Sequence, residues 1–182
     1  MEIIYKRSIN DEELHQILEL QLKNIPTSIS EIEKQNEGFV SVKHSFELLK
    51  TMNTKCAHII AKNENRVIGY ALSMVKDFKD EIDILKPMFA IIENNIPSTL
   101  KYIVMGQVCV DKSFRKKGVF RSLYNKMQQE LNIEYDAIIT EVDKTNTRSL
   151  NAHYSIGFKE LYSYHSKKQD WEILKWDIKK QK

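Results

Sequence analysis

Apolar positions along this chain keep two rhythms, one of period two and one near 3.6, and the switches between them mark its elements. Residues 2–8 predict a first strand. Asn10 followed by Glu13 has the form of a capping box. Leu14, Ile17, Leu18 and Leu22 then share one face of a short helix that stops before Pro26. Residues 26–40 are polar and predict irregular chain, with Gly38-Phe39-Val40 near its end. Phe46, Leu49 and Met52 give one side of a second helix over 43–52. Strands over 56–62 and 66–76, joined by Asn63-Glu64-Asn65, predict an antiparallel hairpin. Residues 77–99 run from a charged start through Pro87-Met88-Phe89 to Asn94-Asn95-Ile96-Pro97. They predict a short inserted helix, either a lid over a site or a helix packed on the sheet.

The stretch from Tyr102 to Leu131 organises the rest. Residues 102–110 are nearly all apolar and rich in β-branched types, as suits a strand covered on both faces. Val119, Phe120, Leu123, Tyr124, Met127 and Leu131 then share a helix face, with Arg121, Asn125, Lys126, Gln128 and Gln129 opposite. Between them lies Arg115-Lys116-Lys117-Gly118. The first amides of a helix have no internal partner and sit at its positive end, so such a turn can hold a phosphate, with Gly118 letting the backbone come close. A strand over 136–142, a helix over 146–156 stopped by Gly157, and strands over 158–165 and 171–178 complete the chain, with a frayed tail over Lys179–Lys182.

A length of 182 residues predicts one domain, 1–182. A net charge of +3 is too balanced to argue for nucleic acid. Cys56 and Cys109 lack metal-ligand spacing, so no metal site and no disulfide framework are expected. Without a signal-peptide core or an apolar run of membrane length, the expected location is the cytoplasm. Neither GxxxxGK[ST] nor GxGxxG occurs.

The turn and the helix after it resemble motif A of the GNAT N-acetyltransferase superfamily, [Q/R]-x-x-G-x-[G/A]. Arg115-Lys116-Lys117-Gly118-Val119-Phe120 follows that pattern except at Phe120, where the family has a small residue. Asn146 to Phe158 resembles the family's N-x-R-[AS]-x-x-x-Y-x-x-x-G-F segment. The element order also resembles the GNAT order over nearly the whole chain. The resemblance implies an α+β, three-layer fold. Its mixed, mostly antiparallel sheet has about seven strands, splayed in a V between the fourth and fifth. It further implies acetyl transfer from acetyl-CoA to a primary amine by direct attack.

In the family the pantetheine arm pairs with the fourth strand, here near Val108, Cys109 and Val110. The pyrophosphate lies on the turn of Arg115, Lys116, Lys117, Gly118, Val119, Phe120 and Arg121, with Asn146 touching the cofactor or capping its helix. Val110 N–H is a candidate oxyanion donor and Gln107 a candidate to orient a water. Glu141 is the candidate base, at the place of the glutamate proposed in ribosomal-protein N-terminal acetyltransferases; a glutamate at a strand end can equally face solvent or a lysine. The family's acid tyrosine falls on His153, with Tyr154 next to it, so both are candidates. Cys109 offers a covalent route that the family does not use.

A non-catalytic acyl-CoA-binding module on the same scaffold is the alternative. Nucleic-acid binding through Lys112, Arg115, Lys116, Lys117 and Arg121 is a more distant one. The acceptor is a small-molecule or peptide amine, and Glu31, Glu33, Glu37, Asp77, Asp80, Glu81 and Asp83 are candidates to attract it. No nucleic-acid or membrane partner is expected. A homodimer through the closing strands, with Trp171 and Trp176, remains open.

Overall fold

The alternating and continuous apolar runs assemble into one sheet of seven strands in the computed structural model, which describes residues 2–82, 85–166 and 168–179, without the side chains of 35–37. In chain order these are β1 (Ile3–Arg7), β2 (Ile59–Asn63), β3 (Arg66–Met74), β4 (Tyr102–Val110), β5 (Ala137–Asp143), β6 (Lys159–Ser166) and β7 (Gln169–Asp177). Their spatial order is β1-β2-β3-β4-β5-β7-β6. Every neighbouring pair is antiparallel except β4 and β5, which run parallel.

Helices cover both faces. On one face lie α1 (Asp11–Leu22), α3 (Phe46–Lys55) and α4 (Lys86–Asn95). Their Leu14, Ile17, Leu49, Met52, Met88 and Phe89 pack on Tyr70, Leu72, Val104 and Ile139. On the other face, α5 (Val119–Leu131) buries Val119, Leu123, Tyr124, Met127 and Leu131 against Ile68, Ile103 and Ile138. Each of those α5 side chains is at most 1% exposed, so each contributes about 1.5–3 kcal/mol of transfer free energy, an upper bound. A shorter helix, α6 (Thr147–Tyr154), packs beside α5.

The parallel pairing between β4 and β5 holds only for Tyr102–Ala137, Ile103–Ile138 and Val104–Ile139. Beyond Val104 the two strands part, although β4 stays on β3 to Val110 and β5 stays on β7 to Asp143. A register shift between Ala71 and Ser73 marks a bulge opposite Gly106 and Gln107, which bends β4 at the point of departure. The expected V is therefore present.

Two expectations of local structure change. Residues 26–40 are not irregular throughout. Ser30 and Glu33 form a reciprocal capping box that starts α2 (Glu31–Glu37). The second helix begins later and runs further than 43–52, because Ser45 caps it and it ends at Cys56, so β2 begins at Ile59 rather than 56. Of the two readings of the 77–99 insert, lid or packed helix, the structure has the packed helix, since α4 sinks Met88, Phe89 and Ile92 into the core. Of the two closing strands, β7 is interior, with Trp171 9% exposed and the partly buried Trp176 packed on Phe158 and Tyr124, while β6 forms one sheet edge and β1 the other. Of the expected frayed tail, Lys179 pairs with Asp136 and residues 180–182 lie outside the described residues.

Candidate active site

The splay opens two adjoining cavities. One, of about 280 Å³, runs between β4, the start of α5 and α6. The other, of about 90 Å³, lies between the parted halves of β4 and β5. Phe39, Val40, Val108, Asn146 and Ser149 line both, so the two meet there.

The larger cavity ends at the basic turn. Lys116 and Gly118 both take positive φ, 60° and 79°, which folds the chain into a left-handed corner just ahead of α5. The first helical bond runs from Ser122 N–H to Gly118 C=O, so the amides of Val119, Phe120 and Arg121 precede the ladder and point out of the helix end. Phe120 packs at a tilt on Tyr124 and edge-on against His153, taking the space that a small residue would leave.

The basic side chains have separate duties. Arg115 lines the larger cavity with its guanidinium tied down: Nε donates to Val110 C=O at 3.1 Å and Nη2 donates to Asn24 Oδ1. Lys117 leans over the Phe114 ring at 5.2 Å and Lys112 pairs with Glu33. Arg121 Nη2 donates to Ser155 C=O at 3.0 Å, bridging α5 to α6 beside the cavity. Lys116 and Arg148 line it.

On β4, Asp111 N–H donates to Ile68 C=O, so by antiparallel alternation Cys109 bonds into the sheet while Val108 and Val110 turn their peptide groups to the gap. Val110 C=O is taken by Arg115 and its N–H lies beside the Cys109 sulfur, which leaves Val108 for a strand-like ligand. Burial pushes the Cys109 thiol up to about 12, outweighing the nearby Arg115, so it is not a nucleophile at neutral pH. Gln107 lines the smaller cavity and is tied into a network. Its Oε1 accepts from Tyr70 Oη at 2.6 Å and Gln21 Nε2 at 2.7 Å, and its Nε2 donates to Val42 C=O at 2.7 Å. Gln21 in turn donates to His44 Nδ1 and accepts from His44 N–H. This network straps residues 38–44 across the gap. Asn146 Nδ2 donates to Phe39 C=O at 3.2 Å, Val40 N–H donates to Asn24 C=O at 3.1 Å, and Asn146 Oδ1 accepts from Ser149 N–H as the α6 cap.

Glu141 projects into the smaller cavity. Burial raises its carboxyl to about 7, although the Tyr164 hydroxyl donates to Oε1 and pulls the other way. Tyr164 stands on β6 and reaches across β7, where its register partner is Trp171.

The two acid candidates fare differently from expectation. Tyr154 is 40% exposed on the outer side of α6 and lines neither cavity. His153 is 1% exposed and both its nitrogens are engaged. Nδ1–H donates to Ser149 C=O at 2.8 Å and Nε2 accepts from Tyr124 Oη at 2.6 Å. Burial brings its pKa down to about 4, so the ring is neutral and has no acidic proton to give.

Missed by sequence reading were Asn24, Phe39, Val40, Arg148, Ser149 and Tyr164. Arg148 and Ser149 stood in the quoted Asn146–Phe158 segment. Tyr164 had no local signal, because its partner is 23 residues away. Of the acids expected to attract an amine, Glu31 pairs with Lys34 and Glu33 with Lys112, and Glu31, Glu33, Asp77, Asp80 and Glu81 line neither cavity. Asp83 and the Glu37 side chain lie outside the described residues. Among the described residues, no group of three or more His, Cys, Asp or Glu is placed to hold a metal ion, and no helix is long and apolar enough to cross a membrane.

The buried titrating groups predict a pH response. His44, His58 and His153 are each held near 4 by burial, so between pH 4 and 6.5 the unfolded chain binds three protons that the native one lacks. Glu141 works the other way from 4.5 to 7, where the native state keeps a proton that the unfolded chain has lost. The net is about two protons, so stability falls by up to about 2.7 kcal/mol per pH unit on acidification from 6.5 to 4.5. Urea midpoints across this window check it; a flat profile is the contrary result.

Comparison with known proteins agrees with this geometry. No curated protein sequence matches the chain. Ard1 from Thermoplasma volcanium is 10% identical with a TM-score of 0.68, over 99% of this chain and 100% of its own. The ribosomal-protein-S18-alanine N-acetyltransferase from Escherichia coli is 13% identical with a TM-score of 0.64, over 100% and 97%. A chain of the NatC complex bound to Gag peptide and CoA is 16% identical with a TM-score of 0.66, over 97% and 99%. At such identities these likenesses are of fold. The sequence model of the Acetyltransferase (GNAT) family, however, matches residues 19–158, and the chain belongs to that family.

Proposed function

We propose that this chain is an acetyl-CoA-dependent N-acetyltransferase that passes acetyl to a primary amine, of a small molecule or a peptide, by direct attack on the thioester. The observation that carries the proposal is the meeting of two cavities in the splay, one ending at the open amides of α5 and the other holding Glu141.

The pyrophosphate would lie on the amides of Gly118, Val119, Phe120 and Arg121, with charge from Lys116 and Arg148. The pantetheine amide would pair with Val108. The carbonyl carbon then comes to the junction, where the Val110 N–H can receive the oxyanion. Glu141 Oε2 takes the proton from the attacking nitrogen, for which a pKa near 7 suits the task. Ser149 lines both cavities, and its hydroxyl can hydrogen-bond to the departing thiolate, which solvent then protonates; neither His153 nor Tyr154 is placed to do so. Positioning and oxyanion stabilisation supply the rest.

The absence of the family's acid tyrosine, whose place His153 takes, favours a second reading, a non-catalytic acyl-CoA-binding module. Turnover of acetyl-CoA in the presence of amines separates the two. A thermal-shift titration tests what both share: at a hundredfold excess over Kd, acetyl-CoA is expected to raise Tm by roughly 5–10 °C. No shift at millimolar cofactor overturns both readings.

A further inference from the structure

Taking Glu141 as the group that meets the acceptor's nitrogen, as proposed above, we infer that the acceptor class is a primary monoamine on a short aliphatic stem, selected by Val42, Leu85, Met88 and Trp171. These four side chains line the smaller cavity around Glu141, from the strap, from α4 and from β7. Its volume is about 90 Å³. A protein cavity near 150 Å³ takes benzene, so this one takes a stem of roughly three to five carbons.

Charge points the same way. Among the described residues, the carboxyls lining this cavity belong to Glu141 and Asp143. Asp143 is committed elsewhere: its Oδ1 accepts from Thr145 N–H and Thr145 Oγ1, and its Oδ2 from Gln169 Nε2. A polyamine or aminoglycoside would set its second ammonium against Leu85, Met88 and Trp171, where it would lose water, and the Asp143 oxygens that could receive it already accept from Thr145 and Gln169. Glu31, Glu33, Asp77, Asp80 and Glu81 stand too far around the molecule to line this space. An amine bearing one apolar stem meets the opposite conditions, since its nitrogen reaches Glu141 while its carbons displace water from an apolar wall.

The test uses the full chain, acetyl-CoA and the straight-chain amines from methylamine to hexylamine, whose basicity is nearly constant, with spermidine as the polycation. The expected result is a kcat/KM that climbs about three- to fourfold per carbon until the cavity is full, near butylamine or pentylamine, and then stops. Spermidine should trail butylamine by at least tenfold. Met88→Ala should move the optimum to a longer amine. Because Met88 is in the core and that variant can fail to fold, Val42→Trp is the companion: Val42 is half-buried on the strap, and the larger ring should move the optimum to a shorter amine. A series flat in chain length, a preference for spermidine, or an optimum unmoved by Val42→Trp overturns the inference. Transfer to spermidine that is lost in Glu141→Gln overturns this inference while leaving the transferase proposal standing. Binding of acetyl-CoA with transfer to no amine at all overturns both.

Discussion

Glu141→Gln is expected to lower kcat/KM by about 10²- to 10⁴-fold while leaving acetyl-CoA binding intact, the range for loss of a positioned general base. The amide keeps the shape and can still accept from Tyr164, so the fold is not at issue. The wild-type rate should rise with pH along a one-proton limb centred near 7, the value to which burial brings this carboxyl. Tyr164→Phe sharpens the test. The hydroxyl stabilises the charged form of Glu141, so its removal should carry the limb to higher pH, with activity lost at pH 7 and recovered in alkali. A role in packing alone would lower activity equally at every pH. Retention of wild-type kcat/KM in Glu141→Gln removes the base from the mechanism.

Gly118→Trp should abolish acetyl-CoA binding without unfolding the chain. Gly118 sits at φ 79°, where a side chain costs about 1–2 kcal/mol, a loss a domain of this size survives. A Cβ built there meets nothing within 4 Å, because it enters the open end of the larger cavity. The indole would then stand over the amides of α5. Gly118→Ala separates the two effects, since it carries the backbone strain with little blockage and should weaken binding only a few-fold. Native circular dichroism with no cofactor-induced Tm shift is the expected signature of the tryptophan variant. An unchanged Kd in that variant would place the phosphate somewhere else.

What the sequence made legible was whatever local periodicity and turn chemistry determine. The run from Tyr102 to Val110 reads as a strand because both its faces are covered, and Val119–Leu131 reads as a helix because one face is. Glu141 could be named because its strand and the helix after it were both clear. Side-chain duty was less legible, since it depends on partners far along the chain. Arg115 read only as a phosphate ligand beside two lysines, and nothing local showed that its guanidinium also holds Asn24, 91 residues away. His153 looked like a substitute acid, but burial against Tyr124 and Phe158 makes it a neutral spacer. The strap over 38–44 went unseen because its order comes from Gln21, Gln107 and Asn146, not from its own residues. The capping box at Ser30 was a different lapse: its signal was local, and the polar composition around it masked a helix of seven residues.

Asn24 serves two masters. Its carbonyl holds Val40 of the strap, and its side-chain oxygen holds Arg115 beneath the phosphate turn. The part of the molecule that would choose an acceptor and the part that would grip the donor therefore share one hinge pin. A relative that exchanges residues 38–44 for another loop must keep an asparagine-like anchor at the end of α1, or it loosens its donor site in the act of changing its acceptor.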